Sequence, residues 1–124
     1  MAKILVVDDE EHIRMLYEEE LKEEGYEVAT AASGKNILEL IEKEKPDLII
    51  LDIKMTDCNG LDVLQQIRNN YYNLPVILST AYETYKSDIK SMAADAYVVK
   101  SFDLTELKNK IKQCLEARVS ASKR

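Results

Sequence analysis

Apolar and polar positions along the chain follow two alternating rhythms. Lys3-Ile4-Leu5-Val6-Val7-Asp8 is a short, β-branched run ended by acids, the pattern of a strand buried on both faces. From Glu10 to Glu24 the apolar residues Ile13, Leu16, Tyr17 and Leu21 return at helical spacing, and Gly25 supplies the stop. The alternation then repeats. Residues 26–31 are strand-like, and Lys35 to Glu44 is helix-like with Ile37, Leu38 and Ile41 inward. Pro46 punctuates before the strand Leu48-Ile49-Ile50-Leu51. Asp57-Cys58-Asn59-Gly60 is a turn, Leu61 to Asn69 a helix, and Leu74 to Thr80 a fourth strand. Glu83 to Ala93 carries a weaker helical pattern and Ala96 to Lys100 a fifth strand. Asp103-Leu104-Thr105-Glu106 has capping-box spacing before a last helix with Leu104, Leu107, Ile111, Cys114 and Leu115 on one side. Five strand–helix units in alternation predict an α/β fold, a parallel sheet with five helices on both faces, because right-handed crossovers must return the chain each time.

Composition narrows this to one soluble-type domain. The 124 residues are 46% hydrophobic and 32% charged, enough for a real core and within the range of a single folded unit. Residues 1–118 are assigned to the domain and 119–124 to a frayed tail. No apolar run approaches spanning length, which predicts no membrane insertion. Met1-Ala2-Lys3 leads straight into a strand without the build of a secretory signal, so a cytoplasmic location is expected. The two cysteines, Cys58 and Cys114, lie far apart with no metal-binding or redox spacing. A formal net charge of −6 argues against direct binding to nucleic acid, whose backbone demands a basic footprint.

The candidate chemistry lies at the strand ends. In an open parallel sheet, ligands bind outside the carboxyl ends of strands where strand order reverses. Those ends carry Asp8 and Asp9 after the first strand, Asp52 after the third, Thr80 at the fourth and Lys100 after the fifth. A hard divalent cation such as Mg²⁺ takes oxygen ligands, including one or two carboxylates, and three acids suit that demand. Taken singly, each residue has an ordinary reading. Asp8 or Asp9 could be a helix N-cap, Lys100 a solvated strand-end lysine and Thr80 a simple β-former. The set carries the signal.

Over essentially its whole length the chain resembles the response-regulator receiver family. The pieces that carry the resemblance are Ile4-Leu5-Val6-Val7-Asp8-Asp9-Glu10, Leu48-Ile49-Ile50-Leu51-Asp52-Ile53-Lys54-Met55, Asn59-Gly60-Leu61-Asp62, Leu78-Ser79-Thr80-Ala81-Tyr82 and Ala94-Asp95-Ala96-Tyr97-Val98-Val99-Lys100. Within the family it is most similar to single-domain receivers of the sporulation-phosphorelay or chemotaxis type. The resemblance implies a flavodoxin-like, doubly wound sheet of order 2-1-3-4-5. It further implies that Asp52 accepts phosphoryl from a phosphohistidine on a sensor histidine kinase or histidine phosphotransferase. Asp9, Asp52 and the backbone carbonyl of Lys54 would bind Mg²⁺, with Asp8 acting through water. Lys100 and Thr80 would engage the phosphoryl group. Thr80 and Tyr97 would then switch a surface read by a downstream protein target. By residue type alone Tyr97 is a half-buried strand aromatic; its place three before Lys100 is the position at which the resemblance implies the switch. Lys54 and Tyr82, two after Asp52 and Thr80, flank the path of a hydrolytic water, and their bulk predicts slow self-dephosphorylation.

Three positions depart from the family pattern: Ser101 stands where proline usually follows the lysine, Thr56 replaces a common proline, and Ala93 replaces a helix-ending glycine. A cis bond before a non-proline costs roughly 2.5–4 kcal/mol, so Ser101 raises the question of whether Lys100 is still presented correctly. Two other functions compete. A magnesium-dependent phosphohydrolase of the haloacid-dehalogenase kind wants a second acid two after the nucleophile, where this chain has Lys54. A receiver-like scaffold no longer regulated by phosphorylation is argued by Ser101 but opposed by retention of all five pocket residues. His12 invites a second phosphoacceptor reading, but a lone histidine on the first turn of an acidic helix fits a solvated side chain better; Glu18-Glu19-Glu20 and Glu23-Glu24 read as a solvated face, with a recognition surface for a basic partner as the alternative.

Overall fold

The computed structural model describes residues 1–81 and 93–122, with backbone alone from residue 119 onwards. Five strands are formed, β1 (Lys3–Val7), β2 (Glu27–Ala31), β3 (Leu48–Leu51), β4 (Val76–Thr80) and β5 (Ala96–Val99). They make one parallel sheet of order β2-β1-β3-β4-β5. Four helices lie among the described residues: α1 (Glu11–Glu23), α2 (Ile37–Glu44), α3 (Gly60–Asn70) and α4 (Thr105–Ser122). The helix expected over 83–93 falls almost wholly outside the described residues. Residues 119–122 continue α4, which is described to Ser122.

Strand periodicity separates two cores. Leu5, Val7, Ile49, Leu51, Val76 and Leu78 point to one face and pack with Ile37 and Ile41 of α2 and Leu61, Leu64 and Ile67 of α3. Their neighbours Ile4, Val6, Leu48, Ile50, Ile77 and Val98 point to the other, against Tyr17 and Leu21 of α1 and Leu107 and Ile111 of α4. The inner strands β1, β3 and β4 are therefore buried without alternation, as a sheet covered on both sides requires.

Helix ends follow local chemistry. Gly25, at φ 93°, ends α1. Asn59 caps α3 by accepting the Leu61 amide at 2.8 Å. Asp103 accepts both the amide and the hydroxyl of Thr105 at the start of α4. The stop of α2 is less orthodox: Lys45, without a glycine's freedom, takes φ 48° just before Pro46.

β1 is an inner strand, and the chain moves from it to β2 on one side and then to β3 on the other. The reversal of strand order thus opens a crevice between the carboxyl ends of β1 and β3. Ladder hydrogen bonds run one residue past the strands: Asp8 N to Ala31 O (3.1 Å), Asp52 N to Val7 O (2.9 Å) and Lys100 N to Thr80 O (2.7 Å). These bonds fix the backbone under each candidate side chain.

Candidate functional site

Asp8, Asp52 and Thr80 are all nearly fully buried at this edge, at 2%, 3% and 0% exposure. Lys100 reaches across from β5, its Nζ 2.8 Å from Asp8 Oδ2, 3.2 Å from Glu10 Oε1 and 3.3 Å from Asp52 Oδ2. It is not the solvated strand-end lysine that residue type alone would allow. The Lys100–Ser101 peptide is trans. With no proline ring after Lys100, the low-energy isomer is kept, and the lysine still reaches Asp52. Carboxylate oxygens of Asp8, Asp9, Glu10 and Asp52 lie within 4.8 Å of one another.

One ammonium among several acids does not satisfy all of them. Burial, then the charge of Asp8, lifts the Asp52 carboxyl from 3.8 to about 6, against the pull of Lys100. Burial works against the Lys100 ammonium as well, but its hydrogen bond to Asp8 and the charges of Asp52 and Asp8 outweigh that, and its pKa is raised. Asp9 sits at the rim, where hydrogen bonds from Thr56 hold its carboxyl below the ordinary value despite some burial.

The N-cap of α1 is Glu10, which makes no side-chain cap. Asp8 accepts the Glu10 amide at 2.9 Å, while Asp9 turns to Thr56, so neither is a conventional cap of that helix. Lys54 lies in the loop after β3, its side chain exposed, in an antiparallel bridge with Asn59. Gly60 closes that loop with a 2.6 Å hydrogen bond to Ile53 O. A side chain there would strike the Asp52 carbonyl oxygen and come within 2.7 Å of Ile53 Cα. Tyr97 is half-buried and packs against the core shared with α2 and α3. Tyr82 lies outside the described residues.

The family described as the response regulator receiver domain matches residues 4–112. This chain belongs to that family. It is 36% identical over 115 residues to the sporulation initiation phosphotransferase F of Bacillus subtilis, covering 91% of this chain and 93% of that protein. Two solved structures of the response regulator TrrA from Thermotoga maritima share 51% identity with it. One is a complex with Mg²⁺-BeF, with TM-score 0.88, covering 92% of this chain and 99% of that one. The other is a complex with the histidine kinase ThkA, with TM-score 0.86, covering 93% and 99%.

The structure also brings to this receiver's pocket residues that the sequence reading passed over. Glu10 joins the acids around Lys100; its one signal was its place directly after Asp8 and Asp9. The Arg14 guanidinium donates to Asp8 O at 2.7 Å, one helical turn on. Beneath the pocket, Tyr17 and Ser79 share a buried 2.7 Å hydrogen bond between α1 and β4. Burial pushes the Tyr17 phenol above its ordinary value. His12 is exposed beside Glu10, as its sequence context suggested. No helix among the described residues is long and apolar enough to cross a membrane.

Proposed function

We propose that this receiver takes a phosphoryl group on Asp52 from a phosphohistidine of a sensor histidine kinase or histidine phosphotransferase, with Mg²⁺ as cofactor. The resulting acyl phosphate would alter a surface read by a downstream protein. The observation that carries the reading is a buried Asp52, within a cluster of carboxylates, with Lys100 Nζ 3.3 Å away. The resemblance to TrrA, solved with the histidine kinase ThkA, supports the class of donor. The functional unit is residues 1–118.

In the transfer an Asp52 carboxylate oxygen attacks phosphorus in line as the phosphorus–nitrogen bond breaks. The imidazole nitrogen keeps that bond's electron pair, and an aspartyl phosphate forms. Such a step asks little covalent work of a protein beyond positioning and neutralising charge on the equatorial oxygens. With its carboxyl at about 6, Asp52 is mostly ionised at neutral pH, as a nucleophile must be. Lys100 meets one phosphoryl oxygen with its ammonium. The Thr80 hydroxyl donates to another, and through Thr80 and Tyr97 the phosphate biases the surface beside β5, provided it binds one arrangement better than the other.

The donor set fits a hard cation, which takes oxygen ligands and keeps several waters: the clustered groups offer carboxylate oxygens only. Asp9, Asp52 and the Lys54 carbonyl would hold Mg²⁺, with Asp8 acting through water. When bound, the cation supplies positive charge to the crowded carboxylates and to the incoming phosphoryl group.

Incubation with Mg²⁺ and a small acyl phosphate, followed by intact mass, tests the proposal. Wild type should gain one phosphoryl and Asp52→Asn none. Equal gain by both, or no gain with any of several acyl phosphates or a cognate phosphohistidine donor, would overturn it.

A further inference from the structure

Thr56 is unlike its surroundings in the pocket. It stands in the loop after β3, where the receiver pattern commonly has proline, and it is exposed. Both of its donors land on one atom: the amide at 2.9 Å and the hydroxyl at 2.7 Å from Asp9 Oδ2. A proline there could give neither bond, having no N–H and no hydroxyl.

The geometry points to Thr56 as a positioning residue for the cation site: we infer that its paired bonds orient Asp9 and tie it to the loop that bears Lys54, raising Mg²⁺ affinity. This rests on the reading above that the acidic pocket binds Mg²⁺. Asp9 belongs to the segment after β1 and Lys54 to the segment after β3, 45 positions on in sequence. Thr56 links the two segments, its amide and hydroxyl both on the Asp9 carboxylate. Because both bonds go to Oδ2, Thr56 leaves Oδ1 to the cation. Groups that orient a metal's ligands commonly alter affinity tenfold or more. At this exposed rim water competes for the same bonds, so the expected effect is smaller, about fivefold for loss of the hydroxyl.

The test is a Mg²⁺ titration by calorimetry on wild type, Thr56→Val, Thr56→Ser and Thr56→Pro, beside urea unfolding of each in EDTA. Valine keeps the shape and the amide but loses the hydroxyl bond; it should bind Mg²⁺ about fivefold more weakly. Serine should stay within about twofold of wild type, and proline, lacking both bonds, should be weakest. Unfolding midpoints in EDTA should be close for wild type, valine and serine, which a purely structural role for the hydroxyl would not give. Equal Mg²⁺ affinity for wild type and valine would overturn the inference and leave the cation reading standing, as would serine as weak as valine. No Mg²⁺ binding by wild type would overturn the cation reading and this inference with it.

Discussion

Replacing Asp52 with asparagine is expected to stabilise the metal-free protein at neutral pH, although it removes the proposed phosphoacceptor. The wild-type carboxyl is held at about 6 in the fold against an ordinary 3.8, chiefly by burial and by Asp8. At 1.36 kcal/mol per tenfold, keeping it ionised in the folded state costs about 3 kcal/mol. With Asp52 only 3% exposed, solvent screening removes little of this. The sign follows from proton linkage. Between roughly pH 3.8 and 6 the folded chain binds more protons at Asp52 than the unfolded chain does. The contribution of this group is therefore fully present below about pH 3.8 and lost as pH rises through about 6. Asparagine does not titrate, so the stability of the variant minus that of wild type should open across that window and plateau at about 2–3 kcal/mol. At about 2.1 cal/mol/K of unfolding entropy per residue, that is up to roughly 10 °C in the melting midpoint. Urea denaturation of both proteins in EDTA, followed by circular dichroism from about pH 4 to pH 8, measures the gap directly. A variant less stable than wild type at pH 8, or a gap that does not change with pH, would refute the reasoning. Saturating Mg²⁺ should shrink the gap, since a cation bound to the native carboxylates stabilises wild type preferentially.

Three further outcomes are expected. Arg68, on α3, donates to Ala93 O at 2.7 Å and Leu74 O at 2.5 Å and pairs with Asp95 at 2.6 Å; Arg68→Ala should cost about 2–3 kcal/mol in urea unfolding, and a loss within experimental error would show the network to be ornamental. Tyr17→Phe strands the Ser79 hydroxyl in the core and should cost about 1–2 kcal/mol, whereas adding Ser79→Ala should recover part of it; strict additivity in that double-mutant cycle would count against a direct bond. Phosphorylated protein freed of its donor should keep most of its label for minutes in Mg²⁺, as obstruction by Lys54 and Tyr82 predicts, and loss within seconds would remove that role.

Much of the fold was legible because a two-sided parallel sheet writes itself into continuous apolar runs. Leu48-Ile49-Ile50-Leu51 and Ile4-Leu5-Val6-Val7 have no polar face, and the helices between them carry their apolar stripes at helical spacing. Gly25 and Asn59 announced their turns for local steric and hydrogen-bonding reasons. Lys45 did not, because a lysine carries no side-chain preference for the left-handed cap it forms at the end of α2, where its amide donates to Ile41 O. Of the pocket, the residues carried by strand ends were legible, since a strand's last residue has its position set by the ladder. Glu10, Arg14, Thr56 and the Tyr17–Ser79 pair were not, because each depends on which segments the sheet order brings side by side.

By itself, then, the sequence determined the strand–helix alternation, the faces of each element and the set Asp8, Asp9, Asp52, Thr80 and Lys100 at one sheet edge. Those follow from local periodicity and from parallel topology, both short-range or directional rules. Tertiary structure alone decided how a single ammonium is divided among Asp8, Glu10 and Asp52, that Lys100 reaches them across a trans bond to Ser101, and that Thr56 clamps Asp9. These are differences of a fraction of an ångström between groups up to 90 positions apart in the chain, and charge interactions at such distances depend on where the packed core leaves each side chain.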